Sequence, residues 1–175
     1  SCTDLVATVL RPLERFHADI QLTPLTILQD ASRDTKNFSS HVEYLFQQQL
    51  AEAQIIVLNK ADLLSSEELE HSLHAIKMQH PRAKLFPLSA RTGEGVETWL
   101  DYVLGKVSVE TQSLEIDYQR YAEAEAALGW LNAKGIIAND EPFSPRAWLE
   151  NFFDVLSKSL EKAQASIAHI KMQLN

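Results

Sequence analysis

Two hydrophobic periods alternate along the first 105 residues, and the switches between them predict the elements. Leu5, Val6, Val9, Leu10 and Leu13 recur at helical spacing, with Ser1 to Asp4 as a capping segment. Pro12 lies inside that pattern and places a kink or an end near Arg11. Leu25 to Leu28 read as a strand that ends in polar Gln29 and Asp30. Ser40 and Glu43 have the spacing of a capping box, and Val42, Leu45, Phe46 and Leu50 give the helix behind it one apolar face. Ile55 to Leu58 is a continuous apolar run, too short for a helix and rich in β-branched residues. Such a run predicts a strand buried on both faces. A second capping box, Ser65 with Glu68, precedes a helix lined by Leu69, Leu73 and Ile76. Leu85 to Leu88 form a third strand, at an edge or an end because Pro87 cannot donate to a ladder. Val96, Trp99, Leu100 and Val103 make a last helical stripe that stops near Gly105.

Helix and strand therefore alternate, which argues for parallel strands joined by right-handed helical crossovers. Only three convincing strands are present, fewer than a full open sheet of this type, so strands on the N-terminal side are expected to be missing. Beyond Gly105 the pattern changes. Residues 107–117 have no clear period and read as a linker. From Tyr118 to Ala138 two patterns compete. Ala122 to Ala127 have high helix propensity, yet Ala122, Ala124, Ala126, Leu128 and Trp130 fall on one face at period two. Phe143-Ser144-Pro145 opens a clear helix, with Ser144 at the N-cap and Pro145 in the first turn. Its stripe is Trp148, Leu149, Phe152, Phe153, Leu156 and Leu160. Ser166 to Leu174 alternate like a half-buried strand, and a strand needs a partner. A strand within Glu123 to Ile137 supplies one, giving a β-α-β start to a small α+β domain. Two open strands are marginal and invite pairing, so either self-association through this region or further residues that complete the sheet are expected.

Bulk properties exclude several classes. The net charge of -8 disfavours sequence-independent nucleic-acid binding, which needs clustered Lys and Arg. No apolar run approaches the roughly 20 residues of a membrane span, and no secretory signal is visible. The single Cys2 cannot form an internal disulfide, which fits a cytoplasmic compartment.

The chemistry concentrates after two strands. Asn59, Lys60 and Asp62 follow the central strand, where open α/β sheets bind ligands. A fixed carboxylate accepts two parallel hydrogen bonds, and guanine presents two adjacent donors on one edge where adenine does not. Asp62 can thus select guanine, Asn59 can both donate and accept, and Lys60 can lay its stem on an apolar face. The motif resembles the Asn-Lys-x-Asp guanine-specificity element of P-loop GTPases. One helix later comes Ser89-Ala90-Arg91-Thr92-Gly93-Glu94-Gly95, which resembles the Ser-Ala-x-x-Gly loop that closes over the base in the same proteins. By that resemblance Ser89 and Ala90 complete the pocket, and Arg91 and Thr92 flank it.

Further residues narrow the likeness. Ser1 to Leu5 through Arg11-Pro12-Leu13 look like the helix after the Glu-x-Ser-Gly signature of the CobW/HypB/UreG group of P-loop GTPases. A Gln-rich helix (Gln47, Gln48, Gln49) leading into Asn-Lys-Ala-Asp, and His80-Pro81-Arg82-Ala83 before the next strand, are similar to the CobW-like branch, associated with cobalamin synthesis and metal handling. The resemblance covers roughly residues 1–105. It implies a P-loop NTPase-like α/β fold, represented by the C-terminal half of the GTP-binding domain (1–106), a linker (107–117) and an incomplete CobW-type C-terminal domain (118–175). The Gly-x-x-x-x-Gly-Lys-Ser/Thr loop and the family's Cys-x-Cys-Cys motif are both absent and would lie upstream of Ser1. The chain is therefore expected to be a fragment that binds the guanine end of GTP but does not hydrolyse it alone. Magnesium and the phosphates would go with the missing half, and a metalloprotein would be the client. A scaffold module that keeps the fold without nucleotide is the alternative. No metal site is expected: His71 and His74, three apart on a helix, read as a solvated face, His169 as an outward strand residue, and Cys2 as one ligand too few.

Overall fold

The computed structural model describes residues 5–33, 39–105, 116–129, 131–138, 140–165, 167 and 170–173. Three parallel strands run in the order β1 (Thr26–Asp30), β2 (Ile55–Asn59) and β3 (Lys84–Leu88). Thr26, Ile55 and Lys84 share one end of the register, and Asp30, Asn59 and Leu88 share the other. The helix α2 (Ser40–Glu52) joins β1 to β2, and α3 (Ser66–Gln79) joins β2 to β3.

The apolar run of β2 splits by parity, as a strand covered on both faces must. Ile56 and Leu58 pack with Leu50, Ala53, Ile76 and Ala83, so α2 and α3 cover one face. Ile55 and Val57 pack with Phe86 and Leu88 and against Val96, Trp99, Tyr102 and Val103 of α4 (Val96–Leu104) on the other. All four strand residues are at most 2% exposed. Coverage is thinner at β1: Leu28, in register with Val57 on the α4 side, is 59% exposed.

Local signals account for most boundaries. The Ser65 side chain accepts from the Glu68 N–H while Glu68 accepts from the Ser65 N–H at 2.8 Å, so the second capping box forms as expected. The first does not. Ser39, one residue before the expected cap, accepts from Val42 N–H, and Ser40 is the first helical residue. With Val42 three residues on, no carboxylate is placed to answer Ser39. At Pro12 the helix neither stops nor breaks. A π-helical turn over Val6–Leu10 passes into α1 (Arg11–Phe16), and the Arg11 N–H reaches back to Val6 O. The wider turn adapts the ladder around a residue that has no N–H of its own.

The C-terminal part corrects one expectation. Among the described residues the strand expected within Glu123 to Ile137 does not form: Tyr118–Ala126 is a helix, α5, capped by Asp117 accepting from Arg120 N–H. Pairs one turn apart, Gln119 to Glu123 and Tyr121 to Glu125, support it. The alanines that mimic a period-two face are strong helix formers, and propensity prevails where no partner strand is present among the described residues. Residues 127–129 and 131–138 carry no helix or strand. Fully buried Ala124 and the Arg120 guanidinium, 4.2 Å from the Tyr44 ring centre, seat α5 on α2. Helix α6 (Pro145–Lys162) begins as expected, Ser144 accepting from Ala147 N–H ahead of Pro145. In the expected strand at Ser166 to Leu174, residues 167 and 170–173 show no strand, and Ser166, Ala168, His169 and Leu174 lie outside the described residues. The linker 107–115, Cys2, Trp130 and the capping segment Ser1 to Asp4 lie outside them too. Among the described residues no helix is long and apolar enough to cross a membrane.

Candidate functional site

The common register ends Asp30, Asn59 and Leu88 together, so the three following loops leave the same edge of the sheet. After β2 the chain must reverse at once. Lys60 does this in the left-handed region (φ 66°), and a 3-10 turn over Ala61–Leu63 follows, with Leu63 N–H donating to Lys60 O. A side chain in that region costs about 1–2 kcal/mol, which the turn must hold in place. The reversal brings Asp62 back towards β3.

After β3, Ser89 is fully buried and organises its own loop. Its N–H donates to Glu94 O, its carbonyl accepts from Gly93 N–H, and its hydroxyl accepts from Thr92 N–H at 3.2 Å. Gly95 closes the loop at φ +74°, where a Cβ would stand 2.4 Å from Pro87 O. Only glycine fits both constraints.

The two loops are joined first through Asn59: Ala90 N–H donates to Asn59 Oδ1 at 3.0 Å. Asp62 completes the junction. Its Oδ2 accepts from Arg91 Nε at 3.1 Å and Nη2 at 2.6 Å. The Ser89 hydroxyl, first, and then the Arg91 guanidinium hold the Asp62 carboxyl below its usual range, outweighing partial burial. Lys60 turns its ammonium elsewhere, to Asp30 Oδ2 at 2.6 Å. Asp30 also accepts at Oδ1 from the N–H (2.9 Å) and hydroxyl (2.7 Å) of Ser32. Burial pushes the Asp30 carboxyl up, but the Lys60 and Ser32 hydrogen bonds bring it below the ordinary value.

Five of the six expected residues, Asn59, Asp62, Ser89, Ala90 and Arg91, thus form one connected group, and Lys60 is tied beside it to Asp30. Two features were not read from the sequence. In the sequence Asp30 is only the polar end of its strand, and nothing local says that Lys60 bonds to it. The Arg91–Asp62 pair spans 29 positions and needed the fold to become visible. Chemically, the edge offers a fixed anionic acceptor, the Asp62 carboxylate. That arrangement suits a flat ligand with adjacent N–H donors. His71 and His74 are exposed on α3, and among the described residues no three His, Cys, Asp or Glu side chains are placed to hold a metal ion.

Residues 2–87 match the family model described as the CobW/HypB/UreG nucleotide-binding domain. Two curated proteins are similar to the chain. GTPase Obg of Thermosipho africanus is 29% identical over 105 residues, which is 59% of this chain and 24% of that protein. GTPase Obg of Lachnoclostridium phytofermentans is 36% identical over 78 residues, 43% of this chain and 17% of that protein. The chain therefore spans about a quarter or less of the length of these relatives. A solved structure, the hydrogenase maturation factor HypB from Archaeoglobus fulgidus, is 30% identical over 37% of this chain and 35% of its own, with a TM-score of 0.29.

Proposed function

We propose, for a chain whose residues 2–87 match the CobW/HypB/UreG nucleotide-binding domain, that Asn59, Lys60, Asp62, Ser89 and Ala90 receive the guanine end of GTP, with Arg91 flanking the base site. The observation that carries this reading is the 3.0 Å bond from Ala90 N–H to Asn59 Oδ1. It holds the loop after β3 against the loop after β2, with the Asp62 carboxylate at their junction and Arg91 flanking it. In this reading Asp62 accepts from the ring N–H and amino group of guanine. Asn59 fixes the loop, the Lys60 stem covers the base, and Ser89 and Ala90 close the pocket.

The parent protein is proposed to be a GTPase of the CobW-like branch, coupled to metal delivery or to assembly of a cobalamin-type cofactor, with a metalloprotein client. The phosphates and magnesium would be held by a phosphate loop in the parent, outside residues 1–175, so this chain alone would not hydrolyse GTP. The open side of β1 supports this. Its outer edge pairs with no strand among the described residues, and Leu28 lies 59% exposed where further strands and helices would cover it. Division at 106 and 117 into GTPase half, linker and C-terminal domain is part of the same proposal, as is a cytoplasmic setting.

The test is nucleotide binding with the phosphate loop supplied, comparing GTP, ATP and xanthosine triphosphate before and after Asp62→Asn. Xanthine carries a carbonyl where guanine has its amino group, and an amide can donate to it. Losing a charged acceptor costs about 1.5–3 kcal/mol, so GTP affinity should fall about 10- to 100-fold while the xanthine nucleotide gains. Unchanged GTP affinity would remove Asp62 as the reader.

One observation favours a second reading, a protein-interaction module. Trp148, Leu149, Phe152, Phe153, Leu156 and Leu160 of α6 stay half-exposed, with Trp148 and Phe152 stacked at 5.4 Å. If this stripe drives self-association, sedimentation should show a concentration-dependent species that Phe153→Ser abolishes. A monomer at all concentrations rejects it.

A further inference from the structure

A guanidinium already stands where a base would be read. Arg91 directs Nε and Nη2, two donors on one carbon, at Oδ2 of Asp62. The reading edge of guanine is the same chemical unit, a ring N–H and an amino group on one carbon. The Asp62 side chain is 11% exposed and that of Arg91 75%, so the guanidinium stands between the carboxylate and the solvent. The backbone on either side of it is pinned. Ala90 N–H is bound to Asn59 and Thr92 N–H to the Ser89 hydroxyl, so Arg91 can leave Asp62 by rotating its side chain alone, without moving the loop.

We propose that Arg91 is a self-competing gate on the base site: its guanidinium and a guanine base are alternative occupants of the Asp62 carboxylate. The proposal rests on the guanine reading above and adds to it the step that must precede binding. While the gate is shut, Asp62 keeps a satisfied, charge-assisted pair in place of a bare anion. When a base arrives, two donors replace two donors, and the freed guanidinium moves into water, where it is already mostly exposed. The gate is weak by construction. An exposed ion pair contributes little, so its release lowers guanine affinity by about two- to five-fold. The same cost falls on every base that needs the carboxylate. Adenine, which lacks the donor pair, does not bear it, so Arg91 lowers the guanine affinity of the site and with it the margin that Asp62 gives guanine over adenine.

Ionic strength separates the two roles. Salt screens an exposed pair, whereas guanosine carries no charge for salt to screen. The experiment titrates the full 15N-labelled chain with guanosine and with adenosine, at low and high salt, as wild type and as Arg91→Met. The resonances of the Arg91 Nε–H, the Ala90 amide and the Asp62 amide are followed. The gate predicts guanosine affinity about two- to five-fold higher in Arg91→Met, with adenosine affinity unchanged because adenine cannot use the carboxylate, so the guanosine-to-adenosine ratio rises by the same factor. It also predicts that wild-type affinity rises with salt and that of the variant does not. If guanosine is preferred in both forms but binds Arg91→Met equally or more weakly, the gate is overturned and the guanine reading stands. If neither form prefers guanosine, the guanine reading fails and the gate fails with it.

Discussion

Asn59 ends β2 and also anchors the loop that follows β3, so one amide carries both the strand boundary and the junction of the site. Removing it separates the two. Asn59→Ala should cost about 1 kcal/mol of stability, read as a shift in the urea midpoint, and should free the Ala90 amide to exchange. With the phosphate loop supplied, GTP affinity should fall with it; an unshifted midpoint and an Ala90 amide still protected would show that the bond contributes nothing. Gly95 makes a sharper case. Its φ of +74° and the 2.4 Å approach of a Cβ to Pro87 O mean that Gly95→Ala meets backbone that cannot give way. About 1–3 kcal/mol of destabilisation is expected. Gly129→Ala, with nothing within 4 Å, is the control and should stay within about 0.5 kcal/mol. The types and spacing of Asn59, Asp62 and Ser89 were legible before any coordinates, because those residue types follow apolar runs that could only be strands. The partners of Lys60 and Arg91 were not: a long cation reaches in any direction, and only the register of β1, β2 and β3 decides which carboxylate meets it.

Elements were readable in proportion to how much of their cause is local. The four-residue run of β2 identified itself because both of its faces are covered, and α3 because its cap is reciprocal. Ser65→Ala removes the acceptor of the Glu68 N–H and should cost about 1 kcal/mol. Ser39→Ala breaks a longer bond of 3.4 Å with no reciprocal partner and should cost less. Equal losses in thermal denaturation would mean that the box adds nothing to a single cap. Where two local signals disagreed, the sequence did not decide. Two adjacent serines, Ser39 and Ser40, are equally good caps, and Ser40 with Glu43 has the more conspicuous spacing, yet Ser39 is the cap. The alternating alanines before Trp130 satisfy both periods at once. Their helix could be known only from Asp117, which caps it, and from Tyr44, against which Arg120 settles.

At the scale of the whole molecule, the stabilising groups divide by the pH at which they act. His80 ends α3 with Nε2 buried and without a hydrogen-bond partner among the described residues, and burial holds its pKa below the ordinary 6.5. Its neutral form is therefore favoured by folding. The unfolded chain binds the proton more tightly, so stability falls as pH drops below about 6.5 and levels off once the folded protein is protonated too. Asp30, Asp62 and Glu68 are held below ordinary values of 3.8, 3.8 and 4.5, each by hydrogen bonds that need the ionised form. Their contribution is complete above those values and is lost only as pH falls through the lower folded ones. Both effects have the same sign, but the first sets in below the ordinary histidine value of 6.5 and the second only below the ordinary carboxyl values of 4.5 and 3.8. Urea midpoints measured from pH 7.5 to 3 should therefore decline in two stages. His80→Gln should flatten the upper stage, since an amide of similar length has no proton to gain. The lower stage should remain, because the two site carboxylates and the α3 cap are untouched. Asp62→Asn should do the reverse, shrinking the acid stage and leaving the upper one. A single decline that neither substitution alters would place the pH sensitivity in the general charge of the chain rather than in these four groups.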